Sequence, residues 1–200
     1  MKIDSRLQAL VLTLHLAALC LALGPPIFFG AVVAPAVFQV LPTHDMAGAL
    51  QSPILSKMCG IAEASFLVLF GTAWLLTSDG AAKATRALLT RLPVLGFFAV
   101  LVIQQLLIPP IDKIRAEAPG LIDNLPKDDP SRVLLDRYHR LSTGFFSLAI
   151  GAALLTLFVT ALSQNVDIPE SLYDAAWRLW PFALVAAGVI LVWQAAKKRA

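Results

Sequence analysis

The sequence predicts an all-α bundle of membrane-crossing helices, and three observations carry that prediction. Hydrophobic residues make up 58% of the 200 residues and charged residues only 14%, about half the charged share of an ordinary soluble domain. The apolar residues run in uninterrupted blocks near the length of roughly 20 residues that a helix needs to cross about 30 Å of hydrocarbon. Lys and Arg gather at the ends of those blocks, where they anchor helices among lipid headgroups.

The first block, residues 7–36, contains no charge. It is about twice as long as a signal-peptide core, so the cleavage-like triplet Ala34-Pro35-Ala36 is read as part of an uncleaved anchor. Pro25-Pro26 and Pro35 each remove a backbone donor and predict a kink. The second span covers 54–77 and ends at the turn signal Ser78-Asp79-Gly80. The third covers 92–108, with Arg91 and Pro93 at its entrance and Pro109-Pro110 marking its exit. In the fourth, 144–162, Gly144, Ser147 and Gly151 form a small-residue seam that predicts a close helix contact.

A fifth span is expected over 179–196, flanked by Trp177 and Trp180 on one side and by Trp193 and Lys197-Lys198-Arg199 on the other. An interfacial helix is its alternative. The remaining stretch, 109–143, is a polar loop whose last part, 131–141, alternates apolar with charged residues as an amphipathic helix does. No repeat or composition break divides the chain, so one membrane domain over 1–200 is expected. The flanks of the first span favour a cytoplasmic N-terminus, whereas Lys and Arg over the whole chain favour the other side. Orientation therefore stays open.

The net charge of +3 forms no basic stripe, which argues against nucleic-acid binding. Cys20 and Cys59 are isolated and read as small apolar residues. No Walker loop, nucleophile elbow or dinucleotide fingerprint occurs.

Alternating crossings bring the loop after span one and the loop after span three to the same membrane face. His44, Gln51, Asp112, Arg115, Arg137, Tyr138, His139 and Ser142 are therefore expected to form one polar site. Within the bilayer, His15, Glu63, Gln104 and Gln105 are the polar residues to explain. A buried imidazole is most simply an interhelical hydrogen bond, and glutamines between helices are most simply structural glue. A carboxylate in hydrocarbon is costly and is normally paired, protonated or facing a polar cavity.

Several of these residues carry a resemblance. Leu14-His15-Leu16, Phe38, the run Leu41-Pro42-Thr43-His44 with Gly48 and Gln51-Ser52, Pro109-Pro110 with Arg115, and Arg137-Tyr138-His139-Arg140-Leu141-Ser142 together resemble the transmembrane protein 205-like family. That resemblance covers roughly residues 10–162 and implies a four-helix integral membrane domain with a shared polar face. It identifies no reaction, and the extra C-terminal apolar segment departs from it.

The leading expectation is a non-enzymatic multi-pass membrane protein, in the cell (inner) membrane, acting as a transporter component, scaffold or lipid-interacting factor. Membrane lipids are its expected partners, and a bundle this small that moves solute would assemble with copies of itself. No cofactor is expected. The alternative is a metal- or haem-handling protein using His15, His44, His139 and Glu63, although no metal-ligand motif supports it. An enzymatic reading would have Tyr138 and His139 act on a lipid headgroup while Arg137 holds phosphate.

Overall fold

The computed structural model describes residues 5–77, 83–118 and 120–163. Four long helices, α1 (Ser5–Val40), α2 (His44–Leu76), α3 (Lys83–Glu117) and α4 (Pro130–Ser163), are each long and apolar enough to cross a membrane. No strand occurs among the described residues. The predicted fifth span and the turn at 78–80 lie outside them.

Small residues fill the inside of the bundle and large ones cover its outside. Ala18 and Ala22 of α1, Cys59 and Ala62 of α2, Ala99 of α3 and Ala149 and Ala153 of α4 are buried, interleaved with Leu19, Phe66, Leu69, Val100 and Ile103. Leu106 is 63% exposed and Phe158 61%, and Phe28 and Trp74 are also on the outside. In water such an exterior would aggregate; among acyl chains it is solvated, and close helix contact is then driven by packing of small side chains. Gly96 shows how close the contact is, because a Cβ there would run into the ring of Phe66.

The α4 contact is not made by the seam predicted for it. Ser147 is exposed, and a Cβ at Gly151 would meet nothing within 4 Å. The face of α4 that packs inward is Ala149, Ala152, Ala153, Thr156, Val159 and Thr160. Alanine and threonine recur there at three- and four-residue spacing and supply the same small surface.

The prolines are absorbed without ending a helix. Pro25 and Pro26 lie inside regular α-helix, and the irregular stretch is a π turn at Phe29–Val33. There Ala34 N–H bonds to Phe29 O, five residues back, immediately before Pro35. A second π turn at Ile103–Leu107 has the same form: Ile108 N–H bonds to Ile103 O, and Pro109-Pro110 follow. A proline lacks an N–H and its ring crowds the carbonyl four residues earlier; widening the preceding turn relieves that clash. The helix therefore continues through Pro109-Pro110 to Glu117 instead of exiting there.

Continuation matters for what the ends of the helices do. The 33 residues of α2 extend about 50 Å at 1.5 Å per residue, well beyond a hydrocarbon core of about 30 Å. The overhanging parts at one face are the start of α2, the end of α3 and the start of α4. A short 3-10 turn, Ile122–Asn124, packs among them.

Candidate functional site

A cavity of about 520 Å³ opens between these overhanging ends. Its deep wall is apolar: Phe29 and Ala34 of α1, Leu55 of α2, Ile103 and Ile108 of α3 and Phe146 of α4. Its outer wall is charged: Asp45, Arg115, Asp123, Arg132 and Asp136, with His44 and His139 beside them. Along α4, Arg132 and Phe146 stand about 21 Å apart by helical rise. The cavity thus runs from the charged helix ends into the apolar part of the bundle.

Five of the eight predicted polar-site residues, His44, Gln51, Arg115, His139 and Ser142, line this cavity. Asp112 stands at its edge, where its Oδ1 accepts from the Ser52 hydroxyl at 2.6 Å. Arg137 is exposed away from it, and Tyr138 packs instead against the apolar core. Ser142 spends its hydroxyl proton on the His139 carbonyl at 2.9 Å.

Local folding positions the charged residues. Leu41 and Thr43 are extended, which breaks the chain between α1 and α2. The Thr43 hydroxyl accepts from Met46 N–H, an ordinary N-cap. A second cap arrives from across the molecule: Asp123 Oδ2 accepts from His44 N–H at 2.7 Å and from Asp45 N–H at 3.2 Å. In return Asp45 Oδ2 accepts from Asp123 N–H at 3.1 Å. The 3-10 turn is thereby fixed to the N-terminus of α2. Arg132 holds the turn from the other side, donating to the carbonyls of Leu125 at 2.8 Å and Asp123 at 3.3 Å. The His44 ring meets Phe38 edge to face, with centroids 5.4 Å apart.

Arg115 reaches back to α2. Its Nη1 donates to Gly48 O at 3.0 Å, and a Cβ at position 48 would collide with the guanidinium. Glycine is therefore what lets the side chain lie against the α2 backbone. Arg115 Nε is buried and has no hydrogen-bond partner. An unmet buried donor costs free energy until an acceptor arrives.

Asp45, Asp123 and Arg132 were not singled out by the sequence, because a cap supplied from 78 or 79 residues away leaves no local signal.

The other polar residues of the bilayer form a separate arrangement. His15 is fully buried in the opposite half of the bundle, with Nδ1 2.8 Å from Thr72 Oγ1 and Nε2 3.0 Å from Thr160 Oγ1. One imidazole thus joins α1, α2 and α4. In either neutral tautomer one nitrogen donates to a threonine and the other accepts from one. Each hydroxyl also lies within bonding distance of a carbonyl of its own helix, Thr72 of Val68 and Thr160 of Thr156; the threonine that accepts from the imidazole gives its proton to that carbonyl, and the other gives its proton to the ring. Gln104, in the second π turn, donates to Ser56 Oγ at 3.1 Å and leaves its own Oε1 buried without a partner. Gln105 is exposed. Glu63 Oε1 is buried without a partner as well, so neither glutamine pairs with Glu63 or with His15.

His44 and His139 share the cavity, whereas His15 and Glu63 are not among its lining. Among the described residues no three His, Cys, Asp or Glu side chains stand close enough to hold a metal ion.

No curated protein and no solved structure matches this chain. Residues 17–120 match a domain of unknown function, DUF4149, and cover most of α1, all of α2 and all of α3, including the π turns, Gly48 and Arg115. On that match over more than half its length, the chain belongs to the DUF4149 family of membrane-span-like helical proteins.

Proposed function

We infer that this protein is a non-enzymatic, lipid-interacting membrane protein that holds an amphiphile in the cavity between its helix ends. One observation carries the reading: the cavity is charged where the helices overhang the hydrocarbon and apolar where they enter it. A ligand with a polar head and an oily body matches that gradient, and the volume falls in the range of ordinary small-molecule sites. Tyr138, which packs against the core, and Arg137, which is exposed, do not line the cavity with His139, and this arrangement favours the non-enzymatic reading. The resemblance to the transmembrane protein 205-like family, which implies an integral membrane domain with a shared polar face, is compatible with this reading, and the cell (inner) membrane is the location we propose.

The test is lipid analysis of the full chain purified in mild detergent and washed extensively. About one lipid per chain should survive the wash, as expected for a preformed pocket. Loss of every lipid, with none regained on reconstitution, would overturn the reading.

A further inference from the structure

The outer wall of the cavity holds charges of both signs that form no close guanidinium–carboxylate pair, although Asp112 and Asp45 lie near enough to Arg115 to favour its charge. Arg115 donates to Gly48 O, and Arg132 donates to the carbonyls of Asp123 and Leu125. Neither guanidinium forms an ion pair with a carboxylate among the described residues. Asp45 and Asp123 each give one oxygen to backbone N–H groups; the other oxygen of Asp123 faces His44 Nδ1 at 3.9 Å, and Asp136 stands exposed at the rim. Opposite charges so close together would normally pair. Here the backbone bonds hold them apart, and Arg115 Nε is left without an acceptor.

We propose that the occupant is a zwitterionic, amine-bearing phospholipid, its phosphate oxygen on Arg115 and its ammonium among Asp136, Asp45 and Asp123. The proposal rests on the amphiphile reading above and names the headgroup. A phosphate oxygen gives the Arg115 guanidinium a charge-assisted bond. The ammonium offers three N–H donors to the carboxylates, which a quaternary headgroup lacks. A headgroup with negative charge alone would satisfy Arg115 but would leave three carboxylates uncompensated beside it. The apolar deep wall takes the start of the acyl chains, which favours a lipid over free phosphate.

The experiment reconstitutes the full chain into vesicles containing equal parts of dioleoyl phosphatidylethanolamine, phosphatidylcholine and phosphatidylglycerol. The chain is then extracted and its retained lipids measured by native mass spectrometry. Wild type should enrich phosphatidylethanolamine about fivefold over either competitor, a modest difference in affinity. Arg115→Gln should return the ratio to that of the vesicles. Asp136→Asn, at an exposed position, should reduce the preference over phosphatidylcholine about threefold without touching the fold.

Retention of about one lipid per chain at the input ratio, unchanged by either substitution, overturns the headgroup assignment and leaves the amphiphile reading standing. Enrichment of phosphatidylglycerol also overturns it. Displacement of the lipid by millimolar inorganic phosphate overturns the choice of a lipid over a free anion. Absence of any retained lipid takes down the amphiphile reading itself. If Arg115→Gln fails to fold, the wild-type ratio and Asp136→Asn still decide.

Discussion

The two polar regions of this bundle differ in how completely their groups are used. In one half, His15 engages a threonine with each ring nitrogen, and the threonine that accepts from it passes its own proton to a carbonyl of its helix. In the other, Arg115, Arg132 and three aspartates line a cavity with backbone bonds among them but no guanidinium–carboxylate ion pair among the described residues. A polar group inside a membrane protein with every hydrogen-bonding position engaged is a fastener. One that is held in place yet left with capacity has room for a ligand.

The largest expected effect tests the fastener. His15→Ala removes two interhelical contacts and leaves a cavity among three helices, and should cost about 2–4 kcal/mol. Thermal unfolding in detergent measures this, and a cost too small to detect would erase the distinction between the halves. Gly96 and Gly48 sharpen it. Gly96→Ala drives a methyl into the Phe66 ring in the packed core and should cost about 1–3 kcal/mol in the same assay. Gly48→Ala meets only the flexible end of Arg115, so it should cost less than about 1 kcal/mol, within the range of mild substitutions, while lipid retention falls.

Asp123→Ala removes the cap supplied to α2 from the 3-10 turn. Because Thr43 still caps Met46, the expected loss is about 1 kcal/mol, together with faster hydrogen exchange at the start of α2. The smallest effect is Glu63→Gln. The Glu63 oxygen has no partner to lose, so unfolding should shift by no more than about 0.5 kcal/mol. A larger shift would mean that Glu63 belongs with the engaged groups after all.

The fold was legible because solvation writes it plainly. Long uncharged runs can only be stable with their backbone bonds made internally, so four spans follow from run length alone. Proline was misjudged at Pro109-Pro110, since its effect depends on whether the preceding turn can widen, and no residue type announces a π turn. The seam on α4 was misjudged because Ser147 and Gly151 have the right spacing but face away from the neighbouring helices, and spacing does not say which face meets a neighbour.

Half of the site was legible by topology. Crossing order alone brought His44, Gln51, Arg115, His139 and Ser142 to one end of the bundle. It could not separate Tyr138, which turns inward, from His139, which lines the cavity, because adjacent helical residues differ by about 100° in direction. Asp123 was invisible because its role consists of partners far along the chain.

The two π turns also make helix length an adjustable dial. Each wide turn accommodates one residue more than an α-helical turn would, so deleting a residue within Phe29–Val33 leaves α1 ample length to cross the bilayer. Such a deletion lets the turn close to α-helical spacing and keeps the Ala34 carbonyl near the Gln51 amide, 3.4 Å away now. The regular helix that follows, Ala34–Val40, has no such slack: a residue lost between Ala34 and Phe38 would swing what lies beyond it by about 100° and carry Phe38 away from His44, dismantling one wall of the cavity.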